Sequence, residues 1–283
     1  MSLSKPRPIL KDMPYHIKKM IVESIPSYLH RLPLRKTSKE FIGIVDIAKF
    51  EMRLTIEDKT IKIESGAGNA LIKEHPTITE AINHFKCFIS KPNVTFFAMS
   101  ITGDRAHSVE LLEMLTATVQ RPLRVKSFGM IIGGQAKILE FIEPGTLERV
   151  GLLSLDQDEA ESIFRMEQWK QAQRVLMRGI SAACEVWWDF PRFDIHTNQS
   201  INLTDLPRIR EHISNSETFI GGSINYTGWT VQNVTDMLGG GRWIELSRDQ
   251  SSWLGNAFPA SGRDCHLYVQ VFENEVVFRK IQL

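Results

Sequence analysis

The sequence contains few cysteines and no long apolar run. Its three cysteines, Cys87, Cys184 and Cys265, lie far apart without Cys-x-x-Cys spacing, so neither a disulfide framework nor a structural zinc site is predicted. No apolar segment approaches the ~20 residues that a membrane-spanning helix needs. The N-terminal run MSLSKPRPIL also lacks the apolar core of a signal peptide. We therefore expect an intracellular protein, in the cytoplasm and/or the nucleus.

The chain also lacks an excess of charge of either sign. Its net charge is +1 over 283 residues, with 24% charged and 42% hydrophobic residues. This composition is typical of globular proteins, and a near-neutral chain gives no electrostatic argument for a nucleic-acid or membrane partner. We expect neither partner.

Motifs that carry enzyme chemistry are missing as well. The eight histidines show no His-Glu-x-x-His spacing, and no Gly-x-Ser-x-Gly elbow occurs. The cluster Gly239, Gly240 and Gly241 follows a predicted helix, which is the wrong end for binding a phosphate. We expect no catalytic residue, no metal and no cofactor, and an enzyme is the third and weakest of the functions considered.

The first informative feature of the sequence is an apolar segment near the N-terminus. Pro14 predicts the start of a helix, and Ile17, Met20, Ile21 and Ile25 then place an apolar stripe on one helix face. Beyond Pro26, apolar and basic side chains interleave: Leu32, Leu34, Arg35, Lys36 and Phe41. Short helices of this kind are not stable alone in water, so the stripe must be buried in this chain or in a partner.

Strands and helices alternate through the rest of the chain. Residues 49–65 predict an antiparallel hairpin with one solvated face, because apolar and polar residues alternate there. Strands are then predicted at 94–101, 123–132, 147–155, 174–180, 193–197, 218–226, 242–247, 266–272 and 276–281. Helices are predicted between most of them, and Thr77 with Glu80 has the form of a capping box at the start of the first. Trp169 is predicted to fill a gap before the strand that follows it.

Two architectures fit this alternation, a doubly wound sheet and a curved solenoid. The strands recur about every 25 to 30 residues, which is close to the period of leucine-rich repeats. A doubly wound nucleotide-binding fold would place a glycine-rich turn after its first strand, whereas Thr102-Gly103-Asp104-Arg105 follows here. We predict the solenoid, with a parallel, curved sheet.

Two stretches of the chain resemble known families. The Ile-rich first helix followed by Leu32-x-Leu34-Arg35-Lys36-x-Ser38-Lys39-x-Phe41 resembles an F-box. The segments 143–148, 167–172 and 203–219 resemble the FTH domain, which follows the F-box in a large nematode-type family of F-box proteins. The two motifs occur in the order found in that family. Pro33 departs from the pattern, since proline interrupts a helix interior.

The resemblance implies a fold, a domain order and a function. The fold is α+β overall, with a small all-α F-box helical hairpin followed by an α/β leucine-rich-repeat-like solenoid. The domains are a flexible tail (1–11), the F-box (12–46), a β-hairpin connector (47–66) and an FTH-type α/β repeat domain (67–283). The protein would be the substrate-recognition adaptor of an SCF-type ubiquitin ligase complex and would direct ubiquitin-dependent degradation.

The resemblance also implies partners and contact residues. Pro14, Ile17, Met20, Ile21, Ile25, Leu32, Leu34 and Phe41 would bury in a Skp-type adaptor, which links the chain to a cullin, while Arg35, Lys36 and Ser38 would contact its rim. The strand-lined face of the repeats would hold an unknown target protein. Because tryptophan is enriched at interface hot spots, we expect target contacts from Trp187, Trp188, Trp229 and Trp243. The alternative is an α/β repeat protein-interaction module whose N-terminal hairpin packs on its own chain and recruits no ligase.

Overall fold

The chain forms two compact units. A computed structural model describes residues 13–25, 31, 33–34, 50–57, 60–65, 70–90, 94–102, 105–130, 134–179, 184–196, 201–239, 243–248, 251–261 and 265–282. Unit 1 comprises Met1–Lys126 and unit 2 comprises Ser127–Leu283. The domain boundaries predicted near residues 46 and 66 stay predictions.

Helices are short and occur in both units. In unit 1 the helices whose bounds are described are α1 (Tyr15–Ser24), α2 (Ile78–Ile89) and α3 (Arg105–Thr118). In unit 2 they are α4 (Gln135–Leu139), α5 (Gln157–Phe164), α6 (Glu167–Lys170), α7 (Leu206–Asn215) and α8 (Val231–Leu238). Two 3-10 turns, Cys184–Val186 and Leu203–Asp205, complete the described helical structure of unit 2.

Strands alternate with these helices. Unit 1 contains β1 (Phe50–Glu57), β2 (Thr60–Ser65), β3 (Ala70–Glu74), β4 (Val94–Thr102) and β5 (Arg124–Val125). Unit 2 contains β6 (Ser127–Met130), β7 (Arg149–Leu153), β8 (Arg174–Arg178), β9 (Arg192–His196), β10 (Gly221–Asn225), β11 (Ile244–Arg248), β12 (Ser251–Pro259), β13 (Cys265–Val271) and β14 (Glu275–Gln282).

The strands of unit 1 form a mixed sheet in the order β3-β2-β1-β4, and β5 pairs with β4. The hairpin predicted at 49–65 is confirmed, because β1 and β2 pair in antiparallel with Leu54 opposite Ile63. Strand β1 also pairs in parallel with β4. The hairpin is therefore part of the sheet of unit 1.

The strands of unit 2 combine a parallel series with an antiparallel one. Strands β6, β7, β8, β9 and β10 lie side by side in chain order, each parallel to the next. Strand β14 then pairs with β10 in antiparallel, and β13, β12 and β11 continue outward as an antiparallel meander. The predicted α+β class is thus confirmed, whereas the sheet is mixed and not parallel throughout. The F-box hairpin and the repeat solenoid stay predictions.

Side-chain caps explain where several helices begin. The hydroxyl of Thr77 accepts a hydrogen bond from the backbone N–H of Glu80 at 3.2 Å, as its capping-box spacing predicts. Asp156 caps α5 in the same way through the N–H of Glu159 at 2.8 Å. Thr230 caps α8. Each such cap contributes about 1 kcal/mol to helix stability, which matters for helices of only two or three turns.

The core of unit 2 lies against one face of its parallel strands. Two rows of side chains on this face are buried, Phe128, Val150, Val175 and Phe193 in one row and Met130, Leu152, Met177, Ile195 and Ile224 in the other. Trp169 is 2% exposed and packs against Phe164 and Phe190, with ring centroids 5.2 and 4.9 Å away. Trp169 therefore fills a gap in the core, as predicted.

Several predicted elements differ from the structure. Strand β3 and strand β12 were not predicted, because the glycines before the first and Asn256 and Pro259 in the second are poor strand formers. The single strand predicted at 123–132 is two short strands, β5 and β6, separated at Lys126. Val109 in α3 is 55% exposed, because the buried face of this helix carries Leu111 and Leu115.

Candidate interaction surfaces

Helix α1 carries several of the described residues of the predicted adaptor-binding segment. Pro14 is its N-cap residue, and the Pro14 carbonyl accepts a hydrogen bond from the N–H of Lys18 at 3.1 Å. Val22 is fully buried and Lys18 is 3% exposed, so this side of the helix packs within the chain. Met20, by contrast, is 64% exposed. Helix α1 thus presents two different faces, one covered by its own chain and one open.

The remaining predicted adaptor contacts divide into described and undescribed residues. Ile17, Ile21, Ile25 and Leu34 are half-buried. Arg31 is buried, and its Nε donates a hydrogen bond to the carbonyl of Ile25 at 2.8 Å. Burial lowers the pKa of the Arg31 guanidinium, which Glu23 partly offsets. Five predicted contacts lie outside the described residues: Leu32, Arg35, Lys36, Ser38 and Phe41.

The four predicted target-binding tryptophans lie in different environments. Trp187 is 1% exposed, and its ring packs against Phe193 with a centroid distance of 4.7 Å. Trp187 is thus a core residue and has almost no surface to offer a partner. Trp229 stacks on Tyr226 at 5.0 Å, and Trp243 lies 6.2 Å from Phe258. Both are half-buried, and the structure does not bring them together with Trp188.

Trp188 belongs to a polar cluster on the surface of unit 2. Its ring stacks on the imidazole of His212 at a centroid distance of 4.5 Å, and the guanidinium of Arg208 lies 5.7 Å from the same ring. His212 Nε2 is 2.6 Å from Asp189 Oδ1, and Arg208 donates to Glu185 at 2.8 Å. Each charged group in this cluster has a partner inside the cluster. The cluster therefore leaves little uncompensated charge for a ligand.

A larger surface is formed by the second face of the parallel strands, here called the open sheet face. It comprises the outward-facing side chains of β6 to β10 and β14, opposite the buried rows. One row lies at the start of the parallel strands and continues onto the antiparallel strand β14. In it the register aligns Ser127, Arg149, Arg174, Arg192, Gly221 and Arg279. The row at the far end aligns Leu153, Arg178, His196, Asn225 and Glu275.

Between these two rows lies one with small and apolar side chains. It aligns Gly129, Gly151, Leu176, Asp194, Ser223 and Val277. A Cβ placed on Gly129 would meet no atom within 4 Å, so the sheet backbone there is uncovered. Leu176 is 37% exposed in the middle of the row. The open sheet face thus has bare backbone and an exposed apolar side chain in its centre, and arginines along its border.

Charge on the open sheet face is mostly positive. Arg174 forms an ion pair with Asp194, whose Oδ1 also accepts a hydrogen bond from the Ser223 hydroxyl at 3.3 Å. Among the residues that the structure describes, Arg149 and Arg192 form no ion pair, and the same holds for Arg178 and Arg279. All four are exposed.

A cavity of about 540 Å³ opens on this face where Gly221 interrupts the row of arginines. Its lining includes Gly221, three arginines and two carboxylates: Arg174, Arg192, Arg279, Asp194 and Glu275. Gly221 has no side chain, and its neighbours in the row on β9 and β14 are Arg192 and Arg279. A Cβ added at Gly221 would lie 3.1 Å from the carbonyl oxygen of Phe278, so the space directly above the backbone is narrow. The cavity can receive one anionic side chain between these two arginines.

The arginine row was not predicted, although the sequence carries a signal for it. Arginine occupies the first position of β7, β8 and β9 and is followed each time by a core residue, Val150, Val175 or Phe193. Such a repeated pair places arginines on one face if the strands are parallel and in register. Only the strand order and register, which no single sequence shows, make them neighbours.

The described parts of the chain show neither a metal site nor a membrane-spanning helix. There, no group of three or more His, Cys, Asp or Glu side chains is arranged to hold a metal ion. Within the same residues, no helix has the length and apolar character needed to cross a membrane.

The fold and its surfaces define a mixed α/β protein whose parallel sheet has one buried and one open face. Residues 107–239 match the family model of the FTH domain. This match runs from α3 to the end of α8 and confirms the FTH part of the resemblance; the F-box part has no corresponding match. No curated protein matches the chain.

Proposed function

We propose that this chain is a substrate-recognition adaptor of an SCF-type ubiquitin ligase complex and acts in ubiquitin-dependent degradation. The FTH match over residues 107–239 is the observation that carries the proposal, because FTH domains often accompany an F-box and suggest a role in protein interaction. The parallel strands β6 to β10, which follow one another in chain order, support a leucine-rich-repeat-like solenoid as the target-binding body.

The segment 12–46 would be the F-box and would bind a Skp-type adaptor, which in turn binds a cullin. Met20 supports this role, since it is a large apolar side chain that its own chain leaves 64% exposed. Fully burying a side chain such as Ile, Leu or Met contributes about 1.5 to 3 kcal/mol. Several of them, Ile17, Met20, Ile21 and Ile25 among those described, can therefore offset the several kcal/mol that association costs.

In this proposal no residue of the chain is catalytic. The open sheet face holds a target protein, and the adaptor and cullin bring it close to a ubiquitin-conjugating enzyme. Raising the local concentration of the target is then the contribution of this chain to the reaction. The complex would act in the cytoplasm and/or the nucleus.

A co-elution experiment tests the adaptor contact. Purified chain is mixed with a Skp-type adaptor protein and passed over a size-exclusion column, first with the natural residue and then with Met20→Asp. Because residue 20 is exposed, the substitution leaves the fold intact but places a charge in the proposed contact, so we expect co-elution to be lost. Lys19→Gln changes the net charge by the same amount beside the contact and should co-elute as before.

The same experiment distinguishes the proposed function from the alternative, an interaction module without ligase recruitment. That alternative draws support from Val22 and Arg31, whose burial shows that part of the N-terminal segment packs within the chain. If the unsubstituted chain fails to co-elute, or if Met20→Asp co-elutes equally well, the F-box assignment is wrong and the alternative stands.

A further inference from the structure

We propose that the open sheet face binds an acidic peptide segment of the target protein, through Arg149, Arg192 and Arg279. This inference rests on the proposed function only in assigning the target to this face, and it adds the chemical class of the target. It starts from the register of the sheet, which places Arg149 beside Arg174 and Arg174 beside Arg192 on adjacent parallel strands.

Arginines in this arrangement have an energetic consequence. Neighbouring strands lie about 4.8 Å apart, and like charges directly opposite each other destabilise a sheet. Asp194 compensates the charge of Arg174. The guanidinium groups of Arg149, Arg192 and Arg279 have no such compensation among the described residues. An anionic partner would supply the missing opposite charges.

The size of the row fits a short extended peptide. From β7 to β14 the row crosses four steps between strands, which is about 19 Å at the usual strand spacing. An extended chain rises about 3.3 Å per residue, so roughly six residues cover this distance. The gap at Gly221, with its cavity of about 540 Å³, would receive one carboxylate between Arg192 and Arg279.

Other features of the face favour a peptide over a nucleic acid. Asp194 and Glu275 lie within it, and they would repel the continuous phosphates of a polynucleotide, whereas a peptide can place its acidic side chains between them. Gly129 leaves sheet backbone uncovered, which lets a second backbone approach closely. Leu176, 37% exposed, offers an apolar contact that a peptide side chain can use.

Fluorescence anisotropy with the full chain tests the proposal. The probe is a labelled peptide of about nine residues in which glutamate alternates with serine, a length chosen to exceed the row. The reference peptide carries glutamine in place of each glutamate. We expect the acidic peptide to bind, the neutral one not to bind, and added salt to weaken binding because exposed charges are screened.

Variants of the chain locate the binding site. Replacing Arg149, Arg192 and Arg279 together by Gln should weaken binding about tenfold, since each exposed ion pair contributes up to a few-fold. A control with Lys137, Arg165 and Lys170 replaced by Gln makes the same change in net charge at exposed positions on or beside the helices of unit 2, away from the face, and its affinity should stay unchanged.

A third variant is expected to change affinity in the opposite direction. Asp194→Asn releases Arg174 from its ion pair and removes a carboxylate from the cavity, so the acidic peptide should bind a few-fold more tightly. A gain of binding cannot result from unfolding, and this variant therefore keeps the proposal testable even if the triple substitution disturbs the sheet.

The outcomes distinguish this inference from the proposed function. Equal binding by the triple Gln variant and its control would overturn the inference, and so would tighter, arginine-dependent binding of an oligodeoxythymidine probe, which would assign the face to nucleic acid. If the acidic peptide fails to bind while the adaptor still co-elutes, the acidic class is wrong and the ligase role stands. If the peptide binds but the adaptor does not, the ligase role alone is wrong.

Discussion

The packing of Phe193 over Gly222 gives the sharpest prediction about stability. The register pairs these residues on β9 and β10, and a Cβ added at Gly222 would lie 2.5 Å from two carbons of the Phe193 ring. The ring is fully buried, and its centroid is 4.7 Å from that of Trp187 and 5.6 Å from that of Phe219. Because the ring has no free space to move into, Gly222→Ala should cost about 1 to 3 kcal/mol of unfolding free energy.

Gly129→Ala is the matched control. Residue 129 lies on the open sheet face, and an added Cβ there would meet nothing within 4 Å. Alanine also fits a strand slightly better than glycine, so this variant should be unchanged or more stable by a few tenths of a kcal/mol. Both substitutions add one methyl group to a strand of the same sheet, and they differ only in the face to which it points.

Urea unfolding followed by tryptophan fluorescence measures the difference. All six tryptophans of the chain belong to unit 2, so the signal reports on the sheet in question. We expect a lower midpoint for Gly222→Ala at an unchanged denaturant dependence. Adding Phe193→Leu to Gly222→Ala should cost less than the sum of the single changes, since the shorter side chain leaves room for the methyl group.

The contrary result would also be informative. If Gly222→Ala is as stable as Gly129→Ala, the methyl group does not meet the Phe193 ring, and the register between β9 and β10 is wrong. Gly221 would then not align with Arg192, and the cavity on the open sheet face would not have the arginines described above.

Two pH-dependent properties follow from buried groups. His84 Nδ1 lies 3.1 Å from His75 Nε2, and burial, with Lys73 and His75, lowers the pKa of His84. Below pH about 6.5 His84 therefore binds a proton more readily in the unfolded chain than in the folded chain. Thermal stability should fall as the pH drops from neutral, and it should fall less in His84→Gln. Burial also raises the pKa of Tyr226 to about 12, and its hydroxyl donates to the Phe272 carbonyl at 2.6 Å. The contribution of Tyr226 to the free energy of unfolding is therefore complete below pH about 10 and decreases toward pH about 12. Tyr226→Phe should lower the free energy of unfolding by about 1 kcal/mol at neutral pH, as measured by urea unfolding. This variant should not show the decrease at alkaline pH.

Local patterns in the sequence predicted most elements because the interactions that define them are local. Thr77 and Glu80 are three residues apart, and their hydrogen bond forms within one helical turn. The alternation in residues 49–65 likewise reflects a hairpin whose two strands are adjacent in the chain. Strand β12 lacked such a signal, because its place in the meander depends on pairing with β11 and β13 and not on its own composition.

The pairing of strands that are distant in the chain could not be predicted from the sequence, for a physical reason. Parallel strands are joined only by crossovers, so their neighbours and register depend on how the helices between them pack. The parallel pairing of β1 with β4 is of this kind. The antiparallel pairing of β14 with β10 likewise joins strands that are far apart in the chain. The tryptophans illustrate the same limit, since Trp187 and Trp188 are adjacent in sequence yet one is buried and the other stacks on His212 at the surface.

The arginine row connects the stability of the sheet with its proposed function. The parallel strands need apolar residues on one face only, because that face alone is buried, and the opposite face is free to vary without loss of core packing. Alternating apolar and neutral polar residues would satisfy the fold at lower electrostatic cost than Arg149 beside Arg174 and Arg192. The overall net charge of +1 means that this local excess is balanced elsewhere in the chain and not on the face itself. An acidic segment bound there removes the repulsion in the same step that forms the new ion pairs, so the repulsion that weakens the free sheet favours the complex.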